Sequence, residues 1–244
     1  MVGLSIGDRL DLVREKILKA CVRAGRKTDS VNLLAVSKLQ DIHKIREAYE
    51  NGQRHFAENY VQEALPKIEQ LQNLPVHWHF IGRIQSNKVK FLPGNFTMIH
   101  SVDRASTADA LNRFAIKHET KSRQPIFLQY NVANEVSKAG ADEIEIENLV
   151  NFMSQLDHIK AMGLMVMPPL DLETENVRQY FAKAREFLSR VRSGLSKEAL
   201  VLHPMDQLSM GTSHDYEIAI EEGSTWVRIG SEIFGPRPAQ GVLQ

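Results

Sequence analysis

With 244 residues the chain is close to the length at which a single (β/α)8 barrel forms, and its 30 Lys and Arg residues balance 30 Asp and Glu. No net field favours a nucleic-acid or membrane partner, which leaves a small-molecule site as the expectation. The single cysteine, Cys21, excludes an internal disulfide, and neither a membrane-length apolar run nor a secretory-type segment opens the chain, so a cytoplasmic setting is expected.

In chain order, residues 1–25 read as an amphipathic helix with Leu10, Val13, Ile17 and Leu18 on one side, Cys21 as a small core residue and Gly25 as a stop. From Val31 on, short apolar or β-branched runs alternate with segments of helical period, as when crossover helices join parallel strands. The expected strands are 31–37, 55–57, 76–81, 98–101, 126–132, 159–166, 201–208 and 226–229, and helices are expected over 41–51, 59–74, 104–119 and 173–193. This strand count, with no glycine fingerprint after the first strand, favours an α/β fold of the closed (β/α)8, or TIM barrel, kind with an extra N-terminal helix. No linker divides residues 1–244, so one domain is expected, with only 236–244 loosely held.

Active sites of such barrels occupy the C-terminal face, which makes residues at strand ends candidates. Lys38, Glu58, Asn59, His79, Asn131, Ser209 and Arg228 fall at or near those ends. Lys38 follows Leu33-Leu-Ala-Val-Ser37, a run that reads as a strand buried on both faces, so its amine is expected in the barrel mouth. A lysine in a partly desolvated pocket presents a neutral amine able to attack an aldehyde; a solvated lysine that merely ends a strand is the plainer alternative. The loops Ser209-Met-Gly-Thr-Ser213 and Arg228-Ile-Gly-Ser231 follow strands seven and eight, where barrels often bind phosphate through backbone amides, hydroxyls and helix starts. A reactive lysine opposite an anion cradle suits a phosphorylated aldehyde cofactor, and it also suits a cofactor-free aldolase acting on a phosphorylated sugar.

An ordered set of motifs over nearly the whole chain resembles the pyridoxal-phosphate homeostasis proteins, whose barrel is similar to the N-terminal domain of bacterial alanine racemase. The set comprises Leu34-Ala-Val-Ser-Lys38, Phe56-Ala-Glu-Asn-Tyr-Val-Gln-Glu63, Trp78-His-Phe-Ile-Gly82 with Gln85-Ser-Asn-Lys88, Gly163-Leu-Met165, Leu208-Ser-Met-Gly-Thr-Ser213 and Val227-Arg-Ile-Gly-Ser-Glu-Ile-Phe-Gly235. The resemblance implies pyridoxal 5'-phosphate as cofactor, held as a Schiff base on Lys38. It implies that Ser213, Gly230 and Ser231 hold the phosphate in a cradle that includes Gly211, and that Arg228 faces the pyridine nitrogen. Asn59, His79, Met165 and Ser209 would line the ring pocket. Two departures from the family pattern are Ala57 in place of Gly and Thr212 in place of Met, the latter adding a hydroxyl beside the phosphate. Arg83 stands at a variable position and receives no role.

A permanently charged arginine at the pyridine nitrogen would oppose its protonation and weaken the ring as an electron sink. Cofactor buffering or delivery, affecting vitamin B6 and amino-acid balance, is therefore expected ahead of turnover, with pyridoxal-phosphate-dependent apoenzymes as recipients. The alternative is a slow amino-acid racemase or lyase. In the racemase resemblance a second domain supplies the second proton-transferring group, for which this chain shows no segment after strand eight. Tyr49, Tyr60, Tyr130, Tyr180 and Tyr216 read as packing residues. The rings of His77-Trp78-His79 are expected to diverge, and His203 and His214 lack partners at ligand spacing, so no metal is expected. Lys88 and Lys90 read as a solvated face rather than an RNA platform. A monomer is expected.

Overall fold

The computed structural model describes residues 3–117, 122–135, 139–169 and 174–236. Of the tail expected to be loose, only Pro236 falls within these residues. Among the described residues eight parallel strands close into a barrel: β1 (Asn32–Val36), β2 (His55–Glu58), β3 (His77–Phe80), β4 (Met98–Val102), β5 (Gln124–Tyr130), β6 (Ile159–Val166), β7 (Gln207–Thr212) and β8 (Trp226–Ile229). Each strand pairs with its successor, and β8 returns to β1 with Leu34 opposite Arg228, which brings the two ends of the described sequence to one seam. The helices are α1 (Ile6–Arg23), α2 (Ile42–Glu50), α3 (Val61–Gln70), α4 (Ala105–Lys117), α5 (Glu143–Met153), α6 (Thr174–Ser193), α7 (Lys197–Leu202), α8 (Tyr216–Glu221) and α9 (Ser231–Phe234). No helix among the described residues is long and apolar enough to cross a membrane.

Local chemistry explains most boundaries. Ser5 caps α1 in a reciprocal box with Asp8, and Asp41 caps α2 through His43 N. The buried face of α1 is Leu10, Val13, Ile17, Ala20 and Cys21, and the helix lies over the seam against α2, α8 and α9. Leu18, expected on that face, is turned to solvent. Helix α5 lies outside the expected helices, although Asp142 and Glu145 form the same kind of capping box at its start.

The seventh strand is the main displacement. The apolar run expected as a strand at 201–208 instead ends α7, which Ser196 caps through Ala199 N, and Val201 is 76% exposed. Short apolar runs do not separate strand from helix by pattern alone. The strand begins at Gln207, so Ser209 sits within it rather than at its end.

Two apolar cores result. The larger fills the annulus between strands and helices, with Phe56, Phe80, Phe181 and Phe187 among its buried members. The smaller fills the barrel lumen with Leu34, Ala57, Met98, Phe127, Met165 and Trp226. Residues two apart on a strand share a face. Phe56 and Phe80 therefore serve the annulus, while Ala57 and its register partner His79 point inward.

Candidate functional site

At the C-terminal mouth of the barrel a cavity of about 530 Å³ is lined by Lys38, Asn59, Arg83, Met165, Ser213 and Arg228, together with Gly230 and Ser231 at its edge. That volume is in the usual range for small-ligand sites. Its charge sets it apart: Lys38, Arg83 and Arg228 reach it, and none of the described residues lining it is Asp or Glu, in a chain whose formal net charge is zero. A hollow of similar size near the N-terminal ends of β3, β4 and β5, between Trp78, Phe96 and Pro125, lacks a lysine and has Arg123 as its charged member. Size does not choose between the two; the anion-attracting wall does.

Lys38 is carried by a turn immediately after β1, in which Gln40 N bonds Ser37 O at 3.1 Å. An ionic cluster holds that turn from behind. The Lys67 ammonium, on α3, donates to Ser37 O (2.9 Å), Glu58 Oε1 (2.8 Å) and Glu63 Oε1 (2.6 Å), while Ser37 Oγ donates to Glu58 Oε1 and Leu39 N to Glu63 Oε1. Leu39 has φ +60°, a left-handed conformation costing a leucine about 1–2 kcal/mol, which these bonds offset. Burial raises the Glu58 carboxyl above its ordinary range, and the bonds from Lys67 pull it back only in part. The residues flanking Lys38 are thus anchored by groups that do not themselves line the cavity.

Arg228 enters the same cavity from β8, the strand paired with β1. It is buried, donates to Ser209 O (2.5 Å), Ser209 Oγ (2.9 Å) and Val166 O (2.9 Å), and is one of the residues that line the cavity. Desolvation brings its pKa down to about 10, so it is still cationic at neutral pH. Between β7 and β8 the register slips between Ser209 and Thr212, and Gly211 occupies the slip with φ +94°. A Cβ there would lie 2.7 Å from Ala219 Cβ and 2.9 Å from Tyr216 Cα, so Gly211 supports the loop from its packed side instead of lining the cavity.

Beyond the slip, Ser213, Gly230 and Ser231 come together at the cavity edge, where Gly230 N lies 3.4 Å from Ser213 Oγ. The first amides of α9 have no partner inside the helix, as at any helix start. Thr212 does not offer its hydroxyl hydrogen to this edge; both its N–H and its Oγ1 donate to Asp215 Oδ1. On the third side Gly82 packs so closely on β2's exit that a Cβ would lie 1.9 Å from Asn59 O. That approach sets Arg83 beside Asn59, whose buried Oδ1 has no hydrogen-bond partner. A buried orphan acceptor at the wall of a cationic cavity is the kind of atom a bound molecule with a donor would satisfy.

Of the residues expected at the site, Lys38, Asn59, Met165, Ser213, Arg228, Gly230 and Ser231 line the cavity, whereas His79, Ser209 and Gly211 lie behind it. Asn131 bonds Glu135 through both ends of its amide and shapes a turn. The β5 residue that lines the cavity is Gln129, two positions after the lumen residue Phe127, and its signal was a single amide in the run 126–130. Arg83, given no role from sequence, lines the cavity. The expectation that His77 and His79 diverge is corrected: standing two apart on β3 they share a face, and His55 stacks on His77 at 4.8 Å and meets His79 edge-on at 5.2 Å. Among the described residues no cluster of three His, Cys, Asp or Glu side chains is placed to hold a metal ion.

The alanine racemase N-terminal domain family matches residues 10–238. A protein of Aquifex aeolicus named pyridoxal phosphate homeostasis protein is 44% identical over 230 residues, which cover 94% of this chain and 97% of that one. The chain belongs to this family. The solved structure of PipY from Synechococcus elongatus without PLP superposes with a TM-score of 0.83 at 37% identity, covering 95% of this chain and 100% of PipY. The structure of PipY with PLP bound gives a TM-score of 0.79 at the same identity and coverage. The family match extends over most of α1, the barrel and both loops at the cavity edge.

Proposed function

We propose that this chain binds pyridoxal 5'-phosphate in the cationic cavity, with the Lys38 amine carrying its aldehyde carbon as a Schiff base, and that the whole chain works as one cofactor-binding unit in pyridoxal phosphate and amino-acid homeostasis. The observation that carries the reading is that Lys38 and Arg228 line one cavity that no described acidic side chain lines. It is supported by relatives named for pyridoxal phosphate homeostasis and by PipY, whose structure is recorded with PLP bound.

The residues present fit that group. Ser213, Ser231 and the amides at the start of α9 supply donors for a phosphate, and Gly230 lets this turn pass close to β1, where a Cβ would lie 3.2 Å from Val36 O. Met165, Val36 and Ile81 offer apolar surface to a ring, and Asn59 Oδ1 offers an unused acceptor. When bound, pyridoxal phosphate supplies an electrophilic carbon and an electron-withdrawing ring. Arg228 cannot accept a proton and opposes protonation of a ring nitrogen beside it, which limits that electron withdrawal. A second proton-transferring group would have to come from His214, which also lines the cavity, since the tyrosines are engaged elsewhere. Tyr130 and Tyr216 donate to Glu143 and Glu232, away from the cavity, and burial raises both phenols above their ordinary range. Holding the cofactor and releasing it to apoenzymes therefore suits the site better than racemisation.

Titration of purified protein with pyridoxal phosphate should produce an absorption band that borohydride abolishes and that Lys38→Ala lacks. An equal band in Lys38→Ala would defeat the attachment. Incubation with a panel of amino acids in deuterated water should give no Cα exchange above the free-cofactor rate; rapid exchange would instead establish an enzyme.

A further inference from the structure

Beneath Arg228 the lumen holds a row of imidazoles. His100 Nδ1 lies 2.9 Å from Ser209 Oγ, His100 Nε2 lies 3.0 Å from His79 Nδ1, and His79 Nε2 lies 3.0 Å from His55 Nδ1. His79, His100 and Ser209 are completely buried. His55 opens the N-terminal end of β2 and stacks on His77, the exposed first residue of β3. The row thus runs from the guanidinium to the opposite mouth of the barrel.

Arg228 fixes its direction. A guanidinium only donates, so Ser209 Oγ accepts from Arg228 and has one hydrogen of its own to place. The acceptor in contact with it is His100 Nδ1. Were Nδ1 to carry the hydrogen, the serine's would be buried without a partner, which folded interiors avoid. With Nδ1 accepting, His100 Nε2 carries the hydrogen and donates to His79 Nδ1, and His79 Nε2 in turn donates to His55 Nδ1.

We propose that His100, with His79 and His55 behind it, is a positioning residue for Arg228: a one-way chain of neutral imidazoles that keeps the Ser209 hydroxyl an acceptor for the guanidinium and so holds the other N–H groups toward the cavity. An imidazolium at His100 would donate from both nitrogens, displace the serine's hydrogen and set a second cation against Arg228. The charged or titratable groups acting on the chain are Arg228 from β8 and His77 from β3. Its other lumen neighbours, including Leu34, Met98, Phe127, Met165 and Trp226, are uncharged. The effect on cofactor rests on the function proposed above; the polarity of the chain does not.

Nitrogen-15 NMR of the histidine rings in the ligand-free protein separates the two. His55, His79 and His100 should each show the Nε2–H tautomer, with His79 and His100 staying neutral well below the ordinary imidazole range, and Arg228→Leu should release His100 to mixed tautomers. An Nδ1–H tautomer or an imidazolium at His100 near neutral pH overturns the proposal. In protein loaded with pyridoxal phosphate, His100→Leu should still attach the cofactor but lose it about tenfold faster, the scale of one charge-assisted hydrogen bond, with a shifted absorption maximum. His100→Gln, whose carbonyl can take the serine's hydrogen, should restore both. Unchanged spectrum and release in His100→Leu would refute the positioning role, whereas failure of the unaltered chain to take up pyridoxal phosphate would refute the functional reading and leave the tautomer result standing.

Discussion

The annulus and the lumen are bounded by the same eight strands, yet they are filled by different rules. Outside the barrel, alternate strand residues meet the helices in an apolar packing of phenylalanine, leucine and isoleucine. Inside, where barrels are commonly packed with branched aliphatic layers, this chain places His79, His100, Ser209 and Arg228, all buried and joined by hydrogen bonds. The annulus holds the barrel closed through area removed from water. The lumen gives up part of that stabilisation to fix a cation at the floor of a cavity. One face of each strand thus belongs to folding and the other to the site.

Variants that respect or cross this division test it. The largest expected effect on stability is in the annulus: Phe181→Ala should lower unfolding free energy by about 3–5 kcal/mol in denaturant melts while leaving cofactor attachment to the surviving folded protein intact. Loss of attachment in folded Phe181→Ala would show that the two regions are not separable. Lys67→Met should cost a comparable ~3–5 kcal/mol, because it strands Glu58 and Glu63. Unlike the phenylalanine change it should also slow attachment at Lys38, whose turn Lys67 holds through Ser37 O. A normal attachment rate would remove the ionic cluster from the account of the site.

Acid should act on the lumen. Burial keeps His79 and His100 well below the ordinary imidazole value, and His55, beside His77, is held down to about 4. In the unfolded chain these rings titrate near 6.5, so their contribution is present above about pH 6.5 and lost as pH falls toward the folded values. The expected slope is about 1.4 kcal/mol per pH unit for each of His79 and His100. A fall between pH 6.5 and 5 that is shallower in His79→Leu/His100→Leu than in the unaltered chain, with His55 still contributing in both, would assign the difference to these two rings; an equal fall in both would contradict it. The smallest effect belongs to the surface. Breaking the exposed pair between Arg113 and Asp109 by Arg113→Ala should change stability by no more than about 1 kcal/mol and leave attachment unaltered.

The same division explains what could be read from the sequence. The barrel was legible because alternation of strands and helices is local. The position of Lys38 at a mouth was legible from the apolar run before it, and the two loops after the last strands from their small residues, whereas the separate roles of Ser213, Gly230, Ser231 and Arg228 came from the family resemblance alone. The seventh strand was misplaced since the run ending at Leu202 fits a helix as well as a strand, and the cap at Ser196 decides between them. The imidazole row was hidden for a different reason. His55, His79, His100 and Ser209 come from four strands far apart in sequence, and their contact exists only once the barrel closes. Arg83 was passed over because nothing in Gly82-Arg83 reveals how tightly Gly82 sits on Asn59.

The most direct test of the central claim is to load the protein with pyridoxal phosphate, reduce it with borohydride, digest with trypsin and map the pyridoxyl group by mass spectrometry. The account predicts a single modified peptide spanning residues 28–44, since trypsin cannot cut after a modified Lys38. Modification on any other lysine, or none, would contradict it.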